Sequence, residues 1–498
     1  MFNAQSLLVS SFWLSLLLFY LRFFYVHRKT FKFAWNNKGF FLPVLPVVGT
    51  TWTALVIGKK PDLITLGSWL YKHVGAPINT WIGHEYHYVT LNADELKIIL
   101  SHPKCLNKSR LYNDLQNFYG KNSLAFLAQE EWKARRKHFL KGFKPIILKG
   151  FMGTFYGYSC ELAEELKGLN GALVSYEHMH KFVFTTFCAT AMGLDIKKFA
   201  DELIEFGNLR EKIEQAIGAK VVSPFIPYSI WINFFPSGRR TAEYMERSKV
   251  IIEKIIRERK IELEKNQEYV ANNNEVPLLD LILSYNQEIM TDEQTYQEMV
   301  LFASAAIETS SYVLYFGFII LAMHPDIQEI LYNEVIREIG DQEISAKNIA
   351  RLKYTEATIC EVMRLVPSVP FIARIIGDDI DIGGKVIPKG ANILVNIYLL
   401  HRVAEYWENP EKFDPARFLP ENLDKIKPFS YMPFSQGPRD CIGKQHAMTL
   451  LKITFANMIR NFKMLTKHKS VDEFDLSSSI TIYSTHPLDL HFATRTKS

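Results

Sequence analysis

The sequence predicts a mainly α protein with small β-sheets, an α+β chain carried on an N-terminal transmembrane anchor helix. Three observations carry this. Apolar residues recur at helical spacing over most of the chain beyond its first fifty residues. Strand signals are confined to a few short stretches, each beside a turn. One segment, Thr291 to His324, keeps an apolar helical pattern far longer than an average globular helix.

Residues 1–30 form the anchor. LLVSSFWLSLLLFYLRFF (7–24) is apolar apart from serines and Arg22, and His27, Arg28, Lys29 and Lys32 follow it. The run approaches the length needed to cross a bilayer, and its positive flank holds the bulk of the chain on the cytoplasmic side. The alternative is a cleaved secretory signal, which wants an N-terminal charge and a small-residue cleavage site; neither is evident. Residues 31–50 read as a basic, proline-rich linker in which Pro43 and Pro46 stop the anchor helix short of the body.

Residues 51–498 then form one body without internal repeats. INTWIGHEYHYVTLN (78–92) alternates and turns like a hairpin, and IDIGGKVIPKGANILVNI (380–397) carries two Gly-containing turns between β-branched runs. SITIYSTHPLDLHF (479–492) reads as a final hairpin, and 266–277 as a polar loop. Thr291 with Gln294 opens the long helix as a capping box, and Pro325 stops it.

Composition narrows the function. The 498 residues are 48% hydrophobic and 22% charged, ordinary for a globular chain, and the formal charge of +5 argues against a nucleic-acid binder. Cys105, Cys160, Cys188, Cys360 and Cys441 are odd in number, widely spaced and without a CxxC pair. A disulfide scaffold and a cysteine zinc site are both disfavoured, and the body faces a reducing compartment.

Cys441 is the cysteine with unusual framing. In FSQGPRDCIGK (434–444) it lies between Gly437 and Gly443, beside Arg439, at the start of an apolar helix. Free N–H groups at a helix start stabilise a thiolate. Gly437 allows a tight turn, and Gly443 lets the backbone approach something flat. Arg439 presents a planar fork suited to a carboxylate. A flat, carboxylate-bearing partner whose metal accepts one thiolate is haem. The long helix adds AAIETSS (305–311), where Glu308 and Thr309 stand among apolar residues. A buried acid costs several kcal/mol unless it is paired, hydrated or useful; a solvated face, or hydroxyls bonded back to their own helix, is the plain alternative.

These residues together resemble the cytochrome P-450 superfamily of haem-thiolate monooxygenases, of the eukaryotic microsomal type and close to insect members of the family-4 clan. Phe434, Gly437, Arg439, Cys441 and Gly443 match its haem-binding loop. EVMR (361–364) resembles its E-x-x-R helix, and FDPARFLP (413–420) its P-x-R-F motif, so that Glu361, Arg364 and Arg417 are implied to form one network behind the haem. Trp132 and Arg136 in EEWKARRK, and Arg374 in the segment after the E-x-x-R helix, match haem-propionate partners. The resemblance covers the chain from about residue 40 to its end.

It implies the cytochrome P-450 fold, haem b with Cys441 as axial iron ligand, and insertion of one atom of O2 into a lipophilic small molecule. Thr309 is implied to hold water on the distal side and Glu308 to help relay protons. Electrons are implied to come from a separate NADPH-cytochrome P-450 reductase, with cytochrome b5 as a further partner, at the endoplasmic reticulum membrane; RRKHFLKGFK (135–144) reads equally as a docking face for such an acidic partner or as an ordinary solvated helix face. Substrate contacts are expected from Leu111–Phe126, Phe302, Ile307, Val369–Phe371 and Ile480–Ile482.

Two positions depart from the family pattern. Ala306 stands where Gly is usual, which implies a less kinked distal helix. Ala305 stands where many clan members carry the Glu that esterifies haem, so the haem is expected to be non-covalent apart from the thiolate bond. The alternatives in function are a haem-thiolate isomerase or dehydratase without an electron donor, and a non-catalytic membrane-anchored haem or lipid binder.

Overall fold

The computed structural model describes residues 4–37, 44, 45, 49, 50, 52, 63–221, 226–265, 276–283 and 290–496. Pro43, Pro46 and most of the expected polar loop lie outside the described residues.

The long helix spans Asp292–Met323 and crosses the larger of the hydrophobic cores. Its start is a reciprocal cap: Gln294 N donates to Thr291 Oγ1 at 3.2 Å and Thr291 N to Gln294 Oε1 at 3.0 Å. It ends at His324, before Pro325. The helix is long and apolar enough to cross a membrane, but 72% of its apolar stretch is buried inside the protein, which marks it as a core helix. A Cβ on Gly317 would lie 2.4 Å from the Phe455 ring, so the helix Lys444–Asn461 packs here on nearly bare backbone.

At the N-terminus the helix Ala4–Val26 leaves Phe12, Trp13, Leu17 and Leu21 exposed. The stretch expected as linker begins instead with a second helix, Arg28–Asn36, packed on the body. Thr30, Phe33 and Ala34 are buried, Phe31 stacks on Trp81 at 4.6 Å, and Lys29 pairs with Asp379 at 3.1 Å. Phe33 and Ala34 are buried and Phe31 partly so, while Arg28, Lys29, Lys32 and Trp35 remain exposed, so burial of one face orders the segment.

The largest sheet has four strands in the order β1 (Ile78–Ile82), β2 (Glu85–Val89), β6 (Asn392–Asn396), β3 (Phe371–Ile375). β1–β2 is the expected hairpin, and β4 (Ile380–Asp381) with β5 (Val386–Ile387) closes the Gly-Gly turn. β2 runs parallel to β6, and β6 antiparallel to β3. The expected final hairpin is divided. β8 (Leu476–Ser478) pairs with β9 (Ile482–Ser484), whereas β10 (His491–Thr494) pairs with β7 (Phe462–Leu465). Pro487 has no N–H to give a ladder and separates the two pairings.

Candidate active site

The loop before the helix Lys444–Asn461 is wound tightly around its cysteine. Cys441 N donates to Phe434 O at 2.9 Å and Asp440 N to Gly437 O at 3.1 Å. Gly437 has φ +83, and a Cβ there would sit 2.3 Å from Leu100 O, so both turn and neighbour require glycine. Ser435 also lies in the left-handed region, with φ 60. At Gly443 an added Cβ would meet nothing nearer than Cys441 Sγ at 3.9 Å, which leaves open space above the loop. Burial raises the Cys441 thiol, while the Gly443 N–H bonded to its sulfur works in the opposite direction. Among the described residues no group of three or more His, Cys, Asp or Glu is placed to hold a metal, so Cys441 stands as a lone thiol.

Cys441 opens onto an apolar cavity of about 370 Å³. Phe434 and Gly443 line it from the loop; Phe302, Ala305, Ala306 and Thr309 line it from the long helix. These helix positions fall three and four apart, on one face. The helix is regular α throughout Ala305–Thr309, and Thr309 Oγ1 donates to Ala305 O at 2.6 Å. Ala305 brings no carboxylate to this cavity.

Basic side chains gather around Trp132. The Arg439 guanidinium stands 4.5 Å and that of Arg136 5.8 Å from the centre of its indole. Arg136 is neutralised by Asp440 at 2.6 Å. Arg439 donates to Leu127 O at 2.6 Å, but its buried Nε has no hydrogen-bond partner. Burial, with Arg374 and Arg136 nearby, lowers Arg439 to about 9. Arg374, on β3, is buried with Nη1 on Ala373 O, and burial lowers it too. Lys108 also lines the cavity, and burial with Arg374 and Arg439 depresses it strongly. Among the described residues no carboxylate pairs with Lys108, Arg374 or Arg439. Uncompensated cations away from water are costly; Lys108 and Arg439 line the cavity, with buried Arg374 close to both, so an anion bound there would relieve them. Haem fits: its flat ring suits the space over Gly443, its carboxylates the cations, and its iron the thiol.

Behind this lies the E-x-x-R network. Glu361 and Arg364 are fully buried and bidentate, at 2.7 and 2.8 Å. Arg364 also donates to His401 O, Pro410 O and Lys412 O. Arg417 Nε stands 3.5 Å from Glu361 Oε1. His401 is lowered to about 3, by burial first and then by Arg364 and Arg402. It is therefore neutral, and its Nε2 accepts Met432 N at 2.9 Å. Through His401 the network reaches the chain just before the cysteine loop.

Several expected contacts fall elsewhere. Leu124, Ala125, Phe302 and Val369 line the cysteine cavity, but Ile307, Glu308 and Thr481 line a second cavity, of about 380 Å³. Residues 304, 307 and 308 share a face that Thr309 does not, which is why the expected set divides. Glu308 Oε2 accepts from Thr481 Oγ1 at 3.0 Å. Of the basic run, Arg135 pairs with buried Glu298 at 3.0 Å and Arg136 with Asp440, leaving Lys137 and Lys144 among the exposed charges. Sequence reasoning missed Lys108, Glu298 and His401. Lys108 sits in a polar loop without a pattern, and only its bridge to Arg374 on β3 carries it inward.

A lone thiol facing an apolar cavity, with unpaired buried cations at its edge, defines a haem-thiolate protein. The family profile described as Cytochrome P450 matches residues 43–490. Among relatives, Cytochrome P450 4c3 of Drosophila melanogaster is 31% identical over 415 residues, 77% of this chain and 76% of its own. Cytochrome P450 4p1 of the same fly is 28% identical over 80% of each chain. Cytochrome P450 4V2 of Homo sapiens is 26% identical over 80% of this chain and 78% of its own. The chain belongs to the cytochrome P450 family: it is a monooxygenase that uses haem b with cysteine thiolate ligation.

Proposed function

We propose that this monooxygenase oxidises a lipophilic small molecule bound in the Cys441 cavity, with electrons from a separate NADPH-dependent reductase. The apolar lining of that cavity is the observation that carries the reading. The haem, when bound, supplies the activation of O2. Cys441 is the residue that would give the iron its thiolate. Lys108, Arg374 and Arg439 would hold the propionates, with Trp132 and Arg136 bracing Arg439. Phe434, Gly437 and Gly443 shape the loop, and Glu361, Arg364 and Arg417 fix the ground behind it.

On the distal side, Thr309 would give up its bond to Ala305 O to hold a water. Burial and Glu214 raise Glu308 to about 8, so at neutral pH it carries a proton it can give. The same side chain faces the second cavity, which supplies a polar route to it. The exposed apolar helix ending at Val26 would attach the chain to the endoplasmic reticulum membrane, with the body on the cytoplasmic side. Lys137 and Lys144 would meet the reductase or cytochrome b5.

The test is turnover of a lipophile panel by the holoprotein with NADPH and added reductase. Thr309→Ala should lower product formed per NADPH consumed roughly tenfold or more. Product without NADPH would favour the isomerase reading, and no product with any lipophile would contradict this one.

A further inference from the structure

The cavity behind the long helix has a chemistry of its own. It lies between the long helix, the helices Tyr176–Thr190 and Ala200–Val221, and the turn between β8 and β9. Its resident cation is already used: the buried Arg210 guanidinium donates to Glu214 and to Ser304. His180 adds no charge, because burial lowers its pKa. Acidic groups remain in excess. Glu177 and Glu211 are exposed at the edge of the cavity, and within it Glu308 Oε1 accepts no hydrogen bond among the described residues. Aromatic faces stand beside them, with Tyr176 and Tyr312 stacked at 4.3 Å between centroids. Surplus carboxylate with aromatic surface is the recognition chemistry of organic cations.

We propose that this cavity is a second binding site, separate from the Cys441 cavity, for an organic ammonium compound with an aromatic or apolar body. Its cationic head lies against Glu308 and the Tyr176–Tyr312 pair, and Glu177 and Glu211 draw it in from solvent. The resident pairing of Arg210 with Glu214 disfavours an anion, which would have to displace that carboxylate. The other groups facing Glu308 agree. Thr481 and Arg210 favour its ionised form, while Tyr119, Tyr176 and Tyr312 are raised by burial and stay neutral. An arriving cation offsets the repulsion from Glu214 and releases the proton of Glu308. Because Glu308 is one residue from Thr309 on the same helix, occupancy also removes the acid from proton supply.

The probe is benzyltrimethylammonium, a quaternary cation with no lone pair for iron, titrated calorimetrically into the full-length holoprotein. One saturable site per chain is expected. Neopentylbenzene, its uncharged counterpart, should compete with the probe at least tenfold more weakly than the probe itself binds, and benzyltrimethylammonium should bind Glu308→Gln at least tenfold more weakly. The paired surface change Glu177→Gln with Glu211→Gln, which leaves the interior untouched, should weaken binding several-fold at low salt and less at high salt. Imidazole, which ligates haem iron, should not displace the probe. Absent saturation, displacement of the probe by neopentylbenzene at equal concentration, displacement by imidazole, or unaltered binding in both sets of variants would each overturn the proposal.

Discussion

Glu308 and Thr309 are neighbours in sequence, yet their side chains open onto different cavities. Thr309 faces the space shared with Cys441 and hydrogen-bonds back to Ala305. Glu308 faces the space behind the helix and meets Thr481. The helical step of about 100° between adjacent residues produces this split, so in the proposed relay the helix itself is the wall a proton would have to cross.

This arrangement sets a pH dependence. Glu308 lies raised at about 8, by burial first and then by Glu214. A proton donor must be protonated, so turnover limited by proton supply should hold below pH 8 and fall as pH rises through it. Glu308→Gln cannot donate and should lose this alkaline limb, at a rate reduced roughly 10²-fold. Turnover against pH for both proteins checks it; an identical limb in the variant would remove Glu308 from the relay.

Glu298 clasps the segment that orients Arg439. Its Oε2 accepts from Leu124 N and its Oε1 from Arg135, both at 3.0 Å, while Leu127 O, three residues on, receives Arg439. Glu298→Ala leaves half-buried Arg135 with the Asn122 carbonyl but no carboxylate, and Leu124 N without its acceptor, and should cost about 3 kcal/mol. Glu298→Gln keeps an acceptor for Leu124 and should cost about 1–2 kcal/mol. Burial raises Glu298 to about 7, so its charged form is penalised on folding. The protonated state therefore favours folding at low pH, and that contribution is lost as pH rises from the unfolded value near 4.5 through about 7. Urea unfolding between pH 5 and 8 checks both; equal costs for Ala and Gln would contradict the clasp.

Arg364 satisfies a buried carboxylate and three carbonyls at once. Lysine has neither the fork nor the reach for five acceptors, so Arg364→Lys should fail nearly as badly as Arg364→Ala, with a loss of about 3–5 kcal/mol and little holoprotein. His401 carries the effect to Met432. Its folded pKa is below the unfolded one, so its stabilisation is present above about 6.5 and is lost as pH falls toward 3. Haem content per folded chain is the measurement; full occupancy in Arg364→Lys would contradict the network.

The sequence carried the local elements well, because their determinants are local. The Thr291–Gln294 cap, Pro325 and the Gly-Gly turn each fix a boundary within a few residues, and the loop around Cys441 follows from its glycines. What stayed hidden depends on long-range placement. Lys108 reaches the cavity because its loop bridges β3, more than 250 residues away in the chain. Arg28–Asn36 becomes a helix because Trp81 and its neighbours cover one face. The final hairpin divides because β7 offers β10 an edge that no pattern within 479–492 reveals. The separation of Glu308 from Thr309 was readable from helical spacing, but the second cavity was not, since three other elements build it.

Every role proposed for the cavity depends on Cys441 being the thiolate ligand of a bound haem. The reduced carbon-monoxide difference spectrum of the full-length protein in membranes tests it most directly. The natural protein should show the red-shifted thiolate band, and Cys441→Ala should lose it. A haem-free natural protein, or a thiolate band that survives in Cys441→Ala, would contradict it.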